Sequence, residues 1–125
     1  MYKIINSTKA AQPIGPYSQA VEINNFMYLS GQIPLDENGN LNSTDVEQQT
    51  HQVFKNIKNV LDANKLNLNN VFKSLIFLKD MNDFATVNKV YSQYFVENFP
   101  ARSCVEVSRL PKDVLVEIEV IAYTK

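Results

Sequence analysis

The sequence predicts an α+β fold in which two helices cover one face of a β-sheet. Runs of β-branched and aromatic residues recur along the chain, and two long amphipathic stretches separate them. At 125 residues the chain is long enough to bury a core without disulfide or metal support. No internal repeat or long linker divides it. We therefore expect one domain that spans residues 1–125.

The first third of the chain predicts three strands. Tyr2–Ile5 is a candidate first strand, and a loop rich in proline and glycine follows it. Val21–Ile23 and Phe26–Leu29 are β-prone runs separated only by Asn24 and Asn25. Asparagine tolerates positive φ, so we expect a tight hairpin there.

Two helices are predicted from apolar spacing. Thr44 and Glu47 fit a capping box, and the first helix should run to about Asn64. Its apolar face contains Val46, Val53, Phe54, Ile57, Val60 and Leu61. A second helix should begin near Asn82–Asp83 and end near Glu97. Its stripe contains Phe84, Val87, Tyr91, Tyr94 and Phe95.

Two later strands are apolar enough to require cover on both faces. In Val71–Leu78 we expect Phe72, Ile76 and Leu78 on one face, with Val71, Leu75 and Phe77 on the other. Leu115–Tyr123 should place Val116, Ile118, Val120 and Ala122 together. Two helices cover only one face of such a sheet. Another copy of the chain is the simplest cover for the second face, so the pattern predicts an oligomer of undetermined symmetry.

Composition excludes several classes of function. The net charge is −1 and no block of lysine and arginine occurs, so the sequence has no electrostatic footprint for nucleic acid or an anionic membrane. One cysteine excludes an intrachain disulfide and fits a reducing compartment. The N-terminal residues lack the apolar core of a signal peptide, and no run is long enough to span a membrane. We therefore expect a cytoplasmic protein.

The stretch from Pro100 to Ile118 carries the chemistry that stands out. It predicts a short strand, a turn containing Pro111 and the final strand. Arg102 lies at the start of the short strand, where a guanidinium can point into a cleft. Glu117 lies among apolar residues, where an unpaired carboxylate is costly to bury. A fixed cation and a perturbed carboxylate suit a small anionic substrate and an activated water.

This stretch closely resembles the signature of the YjgF/Rid family, the reactive intermediate (imine/enamine) deaminases. The likeness extends in order over nearly the whole chain. It includes the segments Ile14–Ser18, Leu29–Pro34, Lys79–Phe84 and Val87–Asn88. The resemblance implies a chorismate mutase-like subunit with a mostly antiparallel mixed sheet. It also implies a homotrimer with sheets inward, helices outward and clefts between neighbours.

The resemblance further implies hydrolytic deamination of 2-imino acids, or their enamine tautomers, to 2-keto acids and ammonia. The implied substrates are 2-iminopropanoate and 2-iminobutanoate, and their removal would protect pyridoxal-phosphate enzymes. No cofactor or metal is implied, and the sequence contains neither a glycine-rich phosphate loop nor metal-ligand spacing.

The family pattern assigns a role to each matching residue. Arg102 would hold the substrate carboxylate through a bidentate fork, although a structural ion pair is the alternative. Glu117 would direct water, although Glu119 at the same parity favours a simple exposed face. The backbone carbonyl of Cys104 would accept a hydrogen bond from the imine nitrogen. Further contacts to the ligand are implied for Tyr17, Ser30, Gly31 and Asn88. The structural alternatives are a loop anchor for Tyr17, a strand-terminating turn for Ser30 and Gly31, and a hydrogen bond within the fold for Asn88.

Other readings of the same residues remain open. A Cys104 nucleophile is disfavoured because a lone strand cysteine is usually a buried hydrophobe and His51, the only histidine, lies in the first helix. The chain could instead be a ligand-binding regulator, like the purine-operon regulators of this family, that uses the same cleft without turnover. A ribonuclease or translation inhibitor is a third class, which the acidic pI of about 5.8 disfavours.

Overall fold

The computed structural model describes residues 1–125 and contains six strands and two α-helices. In chain order these are β1 (Lys3–Ile5), β2 (Ala20–Ile23), β3 (Phe26–Leu29), α1 (Val46–Asp62), β4 (Val71–Leu78), α2 (Phe84–Tyr94), β5 (Ala101–Glu106) and β6 (Val116–Tyr123). Short 3₁₀ turns precede β4, α2 and β6.

The strands form one mixed sheet in the order β1-β2-β3-β6-β4-β5. Only β4 and β5 are parallel, and α2 is the crossover that connects them. The β2–β3 hairpin turns through Asn24 and Asn25 at φ of 51° and 68°, as predicted. The predicted α+β fold is therefore confirmed, with β5 at one edge of the sheet.

The two helices cover one face of the sheet and form the main core with it. Val116, Ile118, Val120 and Ala122 of β6 all face this core and are at most 1% exposed, as their alternation predicted. The opposite face is left open. Four aromatic side chains on it, which we call the open-face aromatics, are each about 40% exposed: Phe26, Tyr28, Phe72 and Tyr123.

The predicted parity of β4 is wrong at its first two residues. A β-bulge between Val71 and Lys73 shifts the register against β6. As a result Val71 is buried with Ile76 and Leu78, while Phe72 turns to the open face and contacts Phe26 at 5.7 Å between ring centroids. The alternation of apolar residues in the sequence does not reveal a β-bulge, because the bulge is an irregularity in the pairing of two strands.

The predicted helix ends are also corrected. The N-cap of α1 is Asp45, whose carboxylate accepts from the Gln48 amide at 3.2 Å, so the Thr44–Glu47 capping box does not form. α1 ends at Asp62 and α2 spans only Phe84–Tyr94. The chain leaves α2 at Phe95 because that ring turns into the core and packs on Tyr91 at 4.7 Å.

None of the helices has the length and apolar character that a membrane span requires.

Candidate functional site

A cleft of about 240 Å³ lies where the loop after β3 meets the start of β6. Backbone hydrogen bonds between Gln32 and Ile118 join these two segments in both directions, at 2.8 and 3.1 Å. The cleft is lined by Ile14, Tyr17, Ser30, Gly31, Ile33, Pro111 and Glu117. Four of these seven residues were predicted as site residues, and the structure brings them together.

Glu117 supplies the only ionisable carboxylate of the cleft lining. It pairs with Phe77 across β4 and so projects from the face of the sheet opposite the helices. Burial, and secondarily repulsion from Glu119, raises the pKa of Glu117 above its ordinary value. No hydrogen bond from the chain satisfies this carboxylate. A carboxyl group with a raised pKa and free oxygens is better suited than an ordinary carboxylate to accept and return a proton.

Gly31 allows the Glu117 side chain to occupy its position. A Cβ added at residue 31 would overlap the carboxylate and lie only 2.8 Å from its Cδ. The backbone around Gly31 therefore forms one wall of the cleft directly against the carboxyl group. Only glycine permits so close an approach.

Tyr17 and Ser30 also line the cleft, and hydrogen bonds within the chain fix both hydroxyl groups. The Tyr17 hydroxyl accepts a hydrogen bond from the Ile14 amide at 3.2 Å. The Ser30 hydroxyl donates to the Ser18 carbonyl at 2.7 Å, which leaves only its oxygen lone pairs for a ligand. Tyr17 is 45% exposed, so its ring borders the opening of the cleft.

Buried amide side chains fix the loops that form the cleft. Asn56 of α1 is fully buried and donates to the carbonyls of Ile33 and Leu35 at 3.0 and 2.8 Å. Gln49 accepts from the backbone amide of Leu115 at 2.8 Å, two residues before Glu117. α1 therefore sets the positions of both cleft segments from behind.

Arg102 lies elsewhere, between two aromatic rings of α2. Its guanidinium carbon is 4.9 Å from the Tyr91 ring centroid and 5.6 Å from that of Phe84. The Tyr91 hydroxyl shares a 2.8 Å hydrogen bond with Ser74, so that ring is anchored to the sheet. No carboxylate forms a salt bridge with Arg102; the one ion pair of the chain joins Arg109 and Asp113. The structural ion pair considered for Arg102 is therefore absent, and its edge remains available to an anion.

Cys104 and Asn88 lie near Arg102. Cys104 is two residues along β5, packs against the main core and pairs with Ile76. Burial raises the pKa of the Cys104 thiol, with a smaller opposing effect of Arg102. Asn88 lies on α2 between the two rings that flank the guanidinium, and its amide has no partner within the chain.

A Cys–His pair is excluded. The Nδ1 atom of His51 lies 2.6 Å from the Tyr94 hydroxyl, and the imidazole is thereby held on the helical layer. A protonated, partly buried thiol with no base beside it fits the prediction that Cys104 is not a nucleophile.

The structure thus places the predicted residues in two groups on opposite faces of one sheet. Arg102 pairs with Ser74 on the helix-covered face, whereas Glu117 pairs with Phe77 on the open face. Their strands are separated by β4 and so lie about 10 Å apart. Their partners Ser74 and Phe77 are three residues apart along β4, which adds about 10 Å along the strand direction. One chain alone cannot bring these two groups onto one small ligand.

Sequence reasoning missed the residues that support the two groups. Phe84 and Tyr91 were assigned to the apolar stripe of α2. Their rings also flank the Arg102 guanidinium, and this contact depends on the position of β5, which the sequence does not show. Asn56 was not singled out, although a polar residue next to the apolar Ile57 in an amphipathic helix is a signal that could have found it.

Comparison with known proteins identifies the family. The family model described as Endoribonuclease L-PSP matches residues 7–124. The chain belongs to this family, which includes the YjgF and RutC proteins. The resemblance drawn from the sequence is therefore confirmed.

Relatives and solved structures within the family are similar along the full chain. A RutC family protein of Pyrococcus horikoshii is 54% identical over 98% of both chains. A Salmonella typhimurium protein named 2-iminobutanoate/2-iminopropanoate deaminase is 46% identical, again over 98% of both chains. The crystal structure of E. coli TdcF with bound serine has a TM-score of 0.92 and 42% identity, covering 98% of this chain and 99% of that one.

Proposed function

We propose that this protein hydrolyses small 2-imino acids to 2-keto acids and ammonia, as a cytoplasmic enzyme that needs no cofactor. The observation that carries the proposal is the Glu117 carboxyl group. It has a raised pKa, faces a cleft and has no partner within the chain. A carboxylate used only for stability would be paired or solvated.

In the proposed reaction Glu117 takes a proton from a water molecule as the water oxygen bonds to the imine carbon. Glu117 passes this proton to the imine nitrogen as the C=N double bond becomes a single bond, which gives a carbinolamine with one OH and one NH2 group. Glu117 then takes the hydroxyl proton and delivers it to the nitrogen: the C=O bond forms, the C–N bond breaks and ammonia leaves. Each turnover consumes one water, and Glu117 is restored.

The substrate carboxylate requires a cation, and Arg102 is the candidate. We propose that the chain forms a homotrimer in which Arg102 of one copy meets the Glu117 cleft of its neighbour. The open-face aromatics would then pack against other copies, which would remove their exposed surface from water. The Cys104 carbonyl would accept from the imine N–H, and Tyr17 would close the opening.

Names among the relatives support this class of substrate. A relative that is 46% identical is named for 2-iminobutanoate and 2-iminopropanoate. TdcF holds serine, a small molecule with a carboxylate and a neighbouring nitrogen, as a 2-imino acid has. The family description names an endoribonuclease instead. A net charge of −1 and the absence of a block of lysine and arginine favour the imino acid over RNA.

The test is ammonia release from 2-iminobutanoate generated freshly by a threonine dehydratase. The protein should accelerate release above the spontaneous rate, and Arg102→Ala should lose the acceleration. A folded wild-type protein with no acceleration would refute the proposal. If Arg102→Ala removes turnover but leaves a regulatory effect in cells, the regulator reading gains support instead. RNA cleavage that survives both Arg102→Ala and Glu117→Gln would point to a contaminating nuclease.

A further inference from the structure

A second concavity runs along the outer side of α1 and shares no lining residue with the cleft. Its volume is about 680 Å³, against about 240 Å³ for the cleft. It extends from the loop before α1 to the end of α2. The groove is lined by Pro34, Asn42, Ser43, Gln48, Gln49, His51, Gln52, Lys55, Lys58, Asn59 and Tyr94.

The charge of the groove differs in sign from that of the whole chain. Lys55 and Lys58 contribute two positive charges to the lining, and no aspartate or glutamate contributes a negative one. The chain as a whole carries −1. Neither lysine forms a salt bridge, since Arg109–Asp113 is the one ion pair present. Two ammonium groups without a salt bridge along one groove favour an anion.

Asp36 is the nearby acid that could offset this charge, because Lys55 contributes to lowering its pKa. Its carboxylate keeps its charge and offsets part of that of Lys55, but its own chain fills its hydrogen-bonding positions. One oxygen accepts from the backbone amides of Asn38 and Asn40, both at 2.9 Å, and the other accepts from the Asn42 side chain at 2.9 Å. Asp36 therefore braces its own loop and does not line the groove.

One end of the groove is held rigidly by the core. The Tyr94 ring stacks on Phe54 with centroids 4.3 Å apart, and its hydroxyl is bonded to His51 at 2.6 Å. The Lys58 amine lies 6.0 Å from the centroid of the same ring. Gln49, only 2% exposed, is fixed to the Ser43 carbonyl and the Leu115 amide. Fixed walls lower the ordering cost of binding.

We propose that this groove binds a polar small molecule, about the size of a nucleotide, that carries at least two negative charges as phosphate or carboxylate groups. A volume of about 680 Å³ lies within the range of small-molecule sites. Lys55 and Lys58 bind the charged groups, and the amides of Gln48, Gln52 and Asn59 offer donors and acceptors to the polar body. The proposal does not depend on the deaminase activity.

His51 makes the test direct, because it is the only histidine in the chain and gives unique imidazole proton signals in an NMR spectrum. Pyrophosphate and citrate are titrated separately into the intact protein at constant ionic strength. The double variant Lys55→Gln/Lys58→Gln removes both charges of the groove. The double variant Lys112→Gln/Lys125→Gln removes the same charge from outside the lining and serves as the control.

A saturating shift of the His51 signals is expected with at least one probe. Saturation with pyrophosphate alone assigns a phosphate ligand, and saturation with citrate alone assigns a polycarboxylate. The affinity should fall by about tenfold or more in the groove variant and stay unchanged in the control variant. Shifts that grow linearly without saturation for both probes, or equal affinity in the groove and control variants, would overturn the proposal.

Discussion

Replacing Gly31 by alanine tests how closely the chemistry depends on the position of Glu117. The new methyl group would lie 2.8 Å from Cδ and 3.0 Å from Cγ of Glu117. Carbon atoms in contact need about 3.5 Å, so Cδ must retreat by at least about 0.7 Å, and the Oε2 atom, which lies nearest to the new methyl group, must move farther. Displacing a reacting group by about 1 Å costs on the order of 100-fold in rate. We therefore expect kcat/KM for 2-iminobutanoate to fall by on the order of 100-fold in Gly31→Ala.

Stability should change little, because the Glu117 side chain is flexible and can swing away from the new methyl group. Gly39→Ala is the matched control. Nothing lies within 4 Å of a Cβ there, but φ is +81°, so alanine should cost about 1 kcal/mol of unfolding free energy without affecting turnover. Ammonia release and urea unfolding are measured for both variants. If Gly31→Ala retained activity within about threefold of wild type, the inferred role of the Gly31–Glu117 contact would be refuted.

Three further predictions concern other parts of the site. Glu117→Gln should abolish turnover yet raise the unfolding free energy at about pH 7. Because the pKa of Glu117 in the folded protein is raised above 4.5, its contribution to stability is complete at low pH and is lost as pH rises through that folded-state pKa. The unfolding free energies of wild type and variant should therefore converge near pH 3 in urea titrations. Asn56→Leu leaves the Leu35 carbonyl without a donor and the Ile33 carbonyl with only the Leu35 amide, and it should cost about 2 kcal/mol in the same titration. A loss under about 1 kcal/mol would mean that the loop finds other partners. Phe84→Leu removes one ring beside Arg102 and should raise KM about two- to fivefold with kcat unchanged; an unaltered KM in steady-state kinetics would deny that ring a part in substrate binding.

Local features of the fold were predictable because their causes are local. The Asn24–Asn25 turn, the alternation of β6 and the apolar stripe of α1 each follow from residues close together in sequence. The bulge in β4 was not predictable, because it depends on how two distant strands register. The early end of α2 likewise depends on a core position for Phe95 that only the packed molecule defines.

The candidate site was predictable in its residues but not in its arrangement. The sequence indicated Tyr17, Ser30, Gly31 and Glu117, and all four line one cleft. That Arg102 lies on the other face follows from its pairing with Ser74, which no motif encodes. Because the two residues lie on opposite faces, the expected oligomer leads to a specific proposal, in which Arg102 of one copy meets the Glu117 cleft of its neighbour.

The central claim is that Arg102 and Glu117 act together only across two copies, and mixed trimers test it most directly. Arg102→Ala and Glu117→Gln chains, each inactive alone, are co-expressed with different tags, and hetero-oligomers are purified by both tags. In a cyclic trimer every mixed assembly has one interface at which an intact Arg102 meets an intact Glu117 of its neighbour.

Unfractionated, randomly mixed trimers should therefore regain about one quarter of wild-type ammonia release, and the purified mixed trimers about one third. Recovery at these levels would show that the two residues are contributed by different subunits. Verified mixed trimers that stay as inactive as the single variants would contradict the account, since activity that needs both residues from one chain cannot be restored by mixing.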